Sequence, residues 1–207
     1  MDFTIFSLGQ MQANCYLIED GGDCILIDPA DEGSFILEQL VARRLNLLGQ
    51  FASHGHFDHV MAAGEIEASL DVPLSIFKED QFLINRLEDT AKHFLGHEPI
   101  VIKPTSFSYL KEGECKLGPF TFEILHIPGH TPGSAAYYFK NEGWLFTGDT
   151  LFKETIGRYD FSYSKRDELK KSLIRLLSLP QDTIVYPGHG ESTMISDEQK
   201  VTEKFNL

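Results

Sequence analysis

The sequence Ser53-His54-Gly55-His56-Phe57-Asp58-His59 directly follows a strand that we predict for residues 47–52. If the backbone stays extended, His54, His56 and Asp58 lie on one side of the chain and His59 lies on the other. Three imidazoles and one carboxylate in so short a segment supply ligands suited to Zn²⁺, Fe or Mn²⁺. The segment therefore predicts a metal site at the end of a strand.

Three further segments have the same form, a predicted strand followed by a tight turn that carries a potential ligand. These turns are Pro128-Gly129-His130-Thr131-Pro132-Gly133-Ser134, Thr147-Gly148-Asp149-Thr150 and Tyr186-Pro187-Gly188-His189-Gly190. In each turn the potential ligand, His130, Asp149 or His189, follows a glycine. Ligand sets are usually assembled from several loops, and such loops meet where strand ends converge. We therefore expect the four segments to form one site.

Predicted strands and helices alternate in both halves of the chain. The strands are predicted at residues 3–8, 15–19, 24–27, 47–52, 73–77, 121–125, 135–139, 144–147 and 183–186. The helices are predicted at residues 34–45, 61–70, 79–90 and 165–177, with a long loop at 91–106. Because strands and helices are mixed throughout, the pattern favours one α/β domain with two similar halves.

The chain has 207 residues, of which 31 are acidic and 18 basic, and its formal net charge is −13. This balance argues against binding to nucleic acid or to an anionic membrane, because phosphate binding needs clustered lysines and arginines. The sequence shows no signal peptide and no apolar run long enough to cross a membrane, so we expect a cytoplasmic location. A small-molecule substrate in a local site remains compatible with the charge.

Together, the four segments resemble the metallo-β-lactamase superfamily. The resemblance extends from Asn14-Cys15-Tyr16-Leu17 and Ile27-Asp28-Pro29 to His189, which is nearly the whole chain. It implies an α/β (α+β) fold, a four-layer αββα sandwich of two mixed β-sheets flanked by helices, with the metals at one sheet edge. We expect residues 1–207 to form this single domain.

The resemblance also implies a role for each candidate ligand. One metal would be held by His54, His56 and His130, the second by Asp58, His59 and His189, and Asp149 would bridge them. The implied cofactors are two divalent ions, with zinc preferred over iron or manganese. Two cations ~3.5–4 Å apart can turn a shared water into hydroxide near neutral pH. Asp58 would also orient this nucleophile, and Asp28 would accept an N–H from a ligand histidine.

Within the superfamily, Gly148-Asp149-Thr150-Leu151-Phe152 and Ile156-Gly157-Arg158-Tyr159-Asp160-Phe161 look most like the glyoxalase II branch, in its short bacterial form. Members of that branch are hydroxyacylglutathione hydrolases. The resemblance implies a metal-dependent hydrolysis of 2-hydroxyacyl thioesters, with Arg158 and Tyr159 binding the substrate. The helical domain that holds glutathione in full-length glyoxalase II is expected to be absent. Asp160 stands where that branch has a glutathione-binding aromatic residue.

Three alternatives remain open at this point. Persulfide dioxygenases share the fold and a similar Gly-Arg-x-Asp-Phe loop, which residues 157–161 match, but they use a single iron. A lactone or ester hydrolase would use the same hydroxide. A metal-binding module without activity is the third alternative.

Several single residues have weaker interpretations. We expect His93 and His97 to face solvent or to pack in a loop, with a lid over the pocket, formed by residues 89–103, as the alternative. His126 is expected to support a ligand without ligating. Ser53 and Thr150 are candidates for contacts with the ligands. Phe57, Phe152 and Tyr159 are candidates for the wall of the pocket, with ordinary core packing as the alternative.

Overall fold

The computed structural model describes residues 1–205, and two six-stranded sheets dominate this part of the chain. The strands are β1 (Asp2–Leu8), β2 (Ala13–Asp20), β3 (Asp23–Ile27), β4 (Asn46–Phe51), β5 (Leu74–Ile76), β6 (Phe107–Tyr109), β7 (Gly113–Leu117), β8 (Phe120–His126), β9 (Ala135–Phe139), β10 (Trp144–Gly148), β11 (Leu151–Phe152), β12 (Thr155–Ile156), β13 (Ile184–Pro187) and β14 (Thr193–Met194). The helices are α1 (Gly33–Arg43), α2 (Phe57–Val60), α3 (Ala63–Leu70), α4 (Gln81–Asn85), α5 (Leu87–Leu95), α6 (Arg166–Leu177) and α7 (Val201–Lys204).

Both large sheets are mixed. The first has the order β1-β2-β3-β4-β5-β6, antiparallel from β1 to β3 and parallel from β3 to β6. The second has the order β14-β13-β10-β9-β8-β7, in which only β13 and β10 are parallel. Strands β11 and β12 form a separate two-stranded ribbon. This arrangement brings the ends of β4, β8, β10 and β13 toward a common edge.

The alternation of side chains along each strand separates an inner from an outer face. On β2, Tyr16 and Ile18 are buried between the two sheets, where they share a core with Phe146 of the second sheet. The intervening Leu17 faces the opposite way and packs in a cluster with Ile36 of α1. The inner core is rich in aromatic rings, and their burial supplies much of the energy that holds the sheets together.

The second sheet has the same division into an inner and an outer face, and helix α6 packs on its outer face. On β9, Tyr137 and Phe139 point into the inner core, whereas Tyr138 packs in the cluster that includes Leu169 and Leu173 of α6. Helices therefore cover the outer face of each sheet. The predicted four-layer αββα sandwich is confirmed.

The expected long loop at residues 91–106 is partly wrong. Helix α5 continues to Leu95, because Leu87 and Ala91 are fully buried on one face and anchor it to the core. Gly96 ends the helix in a left-handed conformation with φ 76°, which glycine adopts without strain. The helix predicted over residues 79–90 is interrupted between Asn85 and Leu87, and its first turn is a 3-10 turn at Lys78–Asp80.

Strands β6 and β7 were not predicted from the sequence. Their side chains are largely half-buried or exposed, so they lack the apolar signal that identifies the central strands. Among the helices of residues 1–205, none is long and apolar enough to cross a membrane.

Candidate metal centre

His54 and His56 form the first part of the centre, just after the end of β4. The turn that carries them is anchored by Asp28, whose carboxylate accepts hydrogen bonds from the Ser53 N–H at 2.6 Å and the Ser53 Oγ at 2.7 Å. The chain bends at Ser53 and His54 and is extended at His56, just before α2 begins. His54 Nε2 lies 2.9 Å from His56 Nδ1. The predicted convergence of these two side chains is present.

His130 reaches the same point from the turn between β8 and β9. Its Nε2 lies 3.1 Å from His56 Nδ1, which completes a group of three histidine nitrogens. Gly129 has φ 141°, and a Cβ there would lie 2.2 Å from the Leu169 amide nitrogen of α6. Only glycine therefore allows this turn to pass so close to the helix.

Asp58 and His59 lie in a second group, with His189. The extended backbone expected across Asp58 is wrong, because α2 begins at Phe57 and the alternation of sides ends there. The helical turn carries Asp58 away from the three-histidine group and toward His189, whose Nε2 lies 3.2 Å from Asp58 Oδ2. His59 Nε2 lies 3.9 Å from the same oxygen.

Asp149 lies between the two groups, at the end of β10. Its Oδ1 is 3.4 Å from His59 Nε2, and its Oδ2 is 3.8 Å from His130 Nε2 and 3.9 Å from His189 Nε2. Gly188 makes this crowding possible, since a Cβ there would lie 2.3 Å from Asp149 Oδ1. The structure thus gathers all seven candidate ligands of the four segments.

In four of the five candidate ligand histidines, the partner of the outer ring nitrogen determines which tautomer the ring adopts. These outer nitrogens contact oxygen atoms as follows: His54 Nδ1 contacts Ser53 Oγ at 3.0 Å, His130 Nδ1 the Arg158 carbonyl at 2.8 Å, His59 Nδ1 Asp28 Oδ2 at 2.9 Å, and His189 Nδ1 the Gln12 carbonyl at 3.3 Å. Carbonyl and carboxylate oxygens only accept, and the Ser53 hydroxyl already donates to Asp28. In these four histidines the outer nitrogen therefore carries the proton, and in a neutral ring the inner nitrogen is left bare.

His54 Nε2 and His130 Nε2 both point at His56 Nδ1, at 2.9 and 3.1 Å, as nitrogens that share one cation do. Two inner atoms, His59 Nε2 and Asp149 Oδ1, are also buried without a hydrogen-bond partner among the described residues. The donor atoms lie within 4.8 Å of one another in each of three overlapping sets, which are His54/His56/His130, His54/His59/Asp149 and Asp58/His59/His189. A donor set of imidazole nitrogens and carboxylate oxygens suits Zn²⁺, Fe or Mn²⁺. The residues present therefore fit a centre for two divalent ions.

Protonation differs between the two groups. Burial, followed by repulsion from neighbouring histidines, holds the pKa of His54 and of His56 well below the usual range. Burial also disfavours a charged His59, but the carboxylates of Asp149, Asp28 and Asp58 outweigh it and raise its pKa to about 10. His54 and His56 are therefore neutral at neutral pH, whereas His59 in the second group is held in its charged form by the carboxylates around it.

The two groups lie at the wall of a cavity of about 310 Å³. Its lining is mostly apolar and consists of Met11, His56, Phe57, Asp58, Thr90, Phe94, His130, Asp149, Phe152, Thr155, Ile156, Arg158, Phe161, Tyr163 and His189. Phe57 and Phe152 line the cavity, as one of the two interpretations predicted, and Phe57 also packs in a core cluster with Val60. A cavity of this size and character suits a small organic substrate.

The prediction that Tyr159 binds substrate does not agree with this lining. Arg158 lines the cavity, but Tyr159 is exposed and is not part of the lining formed by residues 1–205. Phe161 and Tyr163 line it instead, with their rings stacked at 5.4 Å. The Tyr163 hydroxyl lies 2.7 Å from His56 Nε2. The sequence shows aromatic residues at positions 159, 161 and 163, but it does not indicate which of the three face the cavity.

Asp80 is a further residue that the sequence did not reveal. It is fully buried and joins the two histidine-bearing turns. Its Oδ2 accepts from the Gly55 N–H at 2.9 Å and the Thr131 hydroxyl at 2.6 Å, and its Oδ1 accepts from the Gly133 N–H at 2.6 Å. Nothing near Asp80 in the sequence marks it, since its partners are 25 to 53 positions away.

The remaining candidates lie outside the donor groups. His126 Nε2 contacts the Pro132 carbonyl at 2.9 Å, so it supports the turn that carries His130. His93 lies on α5, and His97 follows that helix. The Thr150 hydroxyl is buried and has no hydrogen-bond partner among the described residues, so the expected contact with a ligand is not formed.

Comparison with known sequences identifies the family. The model of the metallo-β-lactamase superfamily matches residues 8–189. Hydroxyacylglutathione hydrolase GloC of Haemophilus influenzae is 35% identical over 210 residues, which cover 100% of this chain and 99% of that protein. Probable metallo-hydrolase YqgX of Bacillus subtilis is 33% identical over 200 residues, covering 96% and 95% of the two chains.

Solved structures agree with this assignment. TTHA1623, in a di-iron-bound form, is 37% identical with a TM-score of 0.87, covering 96% of this chain and 98% of that one. ETHE1 from Myxococcus xanthus is 28% identical with a TM-score of 0.76, covering 97% and 82%. The chain therefore belongs to the metallo-β-lactamase superfamily and is a metal-dependent enzyme of the metallo-hydrolase type.

Proposed function

We propose that the protein hydrolyses thioesters, with S-2-hydroxyacyl thiols as its substrates. The observation that carries the proposal is the convergence of a three-histidine group and an Asp58/His59/His189 group on an apolar cavity of about 310 Å³. The similarity of the whole chain to a hydroxyacylglutathione hydrolase also supports a thioester as the bond that is cleaved.

Two divalent ions, with zinc as the first choice, would be held by the two donor groups. His54, His56 and His130 would bind one ion, and Asp58, His59 and His189 the other. Asp149 would contact both, since its carboxylate lies 3.4 to 3.9 Å from histidine nitrogens of both groups. When bound, such ions polarise a carbonyl and lower the pKa of a water molecule to near neutrality.

Asp58 is suited to orient the attacking water. Burial disfavours its charge, but His59 and His189 outweigh burial and hold the pKa of the carboxyl well below its usual range. The group is therefore an acceptor and not an acid at neutral pH. A thiolate leaving group needs no strong acid, because a thiol has a pKa of about 8.5, whereas an amine leaving group must be protonated. This favours a thioester over an amide as the substrate.

The test uses purified protein with its metal content measured. Metal-loaded protein should hydrolyse S-D-lactoylglutathione or S-lactoyl-N-acetylcysteamine. Asp58→Asn should lower kcat by about 10²- to 10⁴-fold if the carboxylate takes part in proton transfer. Asp23→Asn, at an exposed pair with Asn46, is the matched control and should leave kcat unchanged. Failure to hydrolyse either thioester with two equivalents of metal bound would rule out the proposal.

A persulfide dioxygenase with one iron is the second candidate. It is favoured by the three-histidine group, whose nitrogens are 2.9 and 3.1 Å apart and form a compact site without the second group. The loop at residues 157–161, which carries the resemblance to these enzymes, reaches the cavity through Arg158 and Phe161. Oxygen consumption by iron-loaded protein with glutathione persulfide, in the absence of thioester hydrolysis, would favour this alternative.

A further inference from the structure

Tyr163 brings a hydroxyl group to the wall of the cavity, beside the three-histidine group. Its oxygen lies 2.7 Å from His56 Nε2. The Tyr163 ring is held between two phenylalanines, since Phe161 stacks on it and Phe82 of α4 packs against it edge-on, each with ring centres 5.4 Å apart. Because these contacts fix the ring, the hydroxyl is held at one point of the cavity wall.

The part that His56 plays in the metal centre decides the direction of this hydrogen bond. His56 Nδ1 faces His54 Nε2 and His130 Nε2, so Nδ1 is the atom that would hold an ion and must be bare. A neutral imidazole has one N–H, which is then on Nε2 and donates to the Tyr163 oxygen. The hydroxyl carries a proton of its own, and this contact does not use it. Tyr163 can therefore donate a hydrogen bond into the cavity that it lines.

The position of the hydroxyl limits which part of a substrate it can contact. The two ring nitrogens of His56 point to opposite sides, so an ion at Nδ1 and the Tyr163 hydroxyl are separated by the imidazole ring. A carbonyl oxygen bonded to that ion is too far from the hydroxyl for a hydrogen bond, whereas a group on the carbon next to the carbonyl is closer. In a 2-hydroxyacyl thioester, that group is the 2-hydroxyl.

The other polar side chains of the lining are less suited to this contact. Outside the two donor groups and Asp149 they are Thr90, Thr155 and Arg158, within the part of the chain that the structure describes. Thr155 and Arg158 are exposed, and Thr90 belongs to α5. Tyr163 is half-buried and contacts a candidate ligand, where the reacting carbonyl must come. Its hydroxyl is therefore the donor best placed beside the acyl part.

We propose that Tyr163 recognises the 2-hydroxyl group of the substrate by donating a hydrogen bond to it. The inference rests on the proposed thioesterase function and names the residue that selects 2-hydroxyacyl thioesters over simple acyl thioesters. A substrate without the 2-hydroxyl leaves the phenol without this partner, and a site built to bind a hydroxyl disfavours an analogue that lacks it.

The test compares S-lactoyl-N-acetylcysteamine with S-propionyl-N-acetylcysteamine, which lacks the 2-hydroxyl. Each variant is assayed with metal far above its Kd, and both substrates are measured on the same sample, so that incomplete metal loading affects both kcat/KM values equally. Tyr163→Phe should lower the lactoyl-to-propionyl ratio of kcat/KM by about fivefold relative to the wild type, the usual effect of one hydrogen bond. Tyr159→Phe removes an exposed phenol outside the lining and should keep the wild-type ratio.

Binding gives a second measurement that does not depend on turnover. S-(2-hydroxypropyl)-N-acetylcysteamine and S-propyl-N-acetylcysteamine are thioethers and cannot be hydrolysed. Ligand-observed NMR with the metal-loaded protein measures their affinities. The wild type should bind the hydroxypropyl compound about fivefold more tightly, whereas Tyr163→Phe should bind the two within about twofold of each other.

The outcomes separate the inference from the proposed function. If the wild type hydrolyses the lactoyl thioester, a ratio that is unchanged in Tyr163→Phe, or lowered equally in Tyr159→Phe, overturns the inference. If it hydrolyses neither thioester with two equivalents of metal bound, the proposed function is wrong and the thioethers decide. A wild type without a preference for the hydroxypropyl compound, including one that binds neither, then overturns the inference as well.

Discussion

At the scale of single residues, each candidate ligand histidine uses its two ring nitrogens differently. The outer nitrogen is held by an oxygen, as in the contacts of His59 with Asp28 and of His130 with the Arg158 carbonyl. The inner nitrogen is thereby left free for a cation. Partners of this kind orient the ring, and their removal typically weakens metal binding by 10- to 100-fold.

Tyr163→Phe tests this argument at His56. The substitution removes the hydroxyl that lies 2.7 Å from His56 Nε2 but keeps the ring stacked on Phe161. We expect about a tenfold loss of affinity for one ion, measured by competition with a coloured chelator. Tyr159→Phe is the matched control, because that exposed ring lies outside the cavity lining, and it should bind metal like the wild type. Equal affinities of the two variants would contradict a role for the phenol.

At the scale of elements, the parts of the site that could be predicted are those set by a strand. His54 and His56 follow the end of a buried strand and do lie together, although the chain bends at Ser53 and His54 and does not continue the strand. Asp58 could not be placed in this way, because the first turn of α2 begins one residue before it. Asp58 lies beside His189, which follows a strand far away in the sequence. Only the resemblance to the metallo-β-lactamase superfamily predicted that these two residues belong to one group. Asp80 was missed because a buried carboxylate has no local pattern.

Asp80 also allows a prediction about how the two sheets are joined. Its carboxylate accepts from Gly55 after β4 and from Thr131 and Gly133 after β8. Asp80→Ala would leave these donors buried without partners, so we expect a loss of about 3 kcal/mol in the free energy of unfolding. Urea denaturation measures it. Glu79→Ala, at the exposed neighbouring position, should cost less than about 0.5 kcal/mol, and equal costs at the two positions would refute the role of Asp80.

At the scale of the whole molecule, the donors come from both sheets. His54 and His56 follow β4 of the first sheet, whereas His130, Asp149 and His189 follow β8, β10 and β13 of the second. In the unfolded chain these residues are far apart. Metal binding should therefore stabilise the packing of one sheet on the other and not merely a local loop.

Thermal unfolding with and without metal tests this link between the centre and the fold. A ligand that binds only the folded state at a thousand times its Kd adds about 4 kcal/mol, which in a chain of this size raises Tm by about 8 to 16 °C. A strong chelator should reverse the increase. His189→Ala removes a donor of the second group and should retain only part of it, whereas His97→Ala, beyond α5 and outside every donor group of residues 1–205, should retain all of it. An increase that is the same in both variants would mean that metal stabilises the protein from another place, because only one of the two histidines can contribute to the centre.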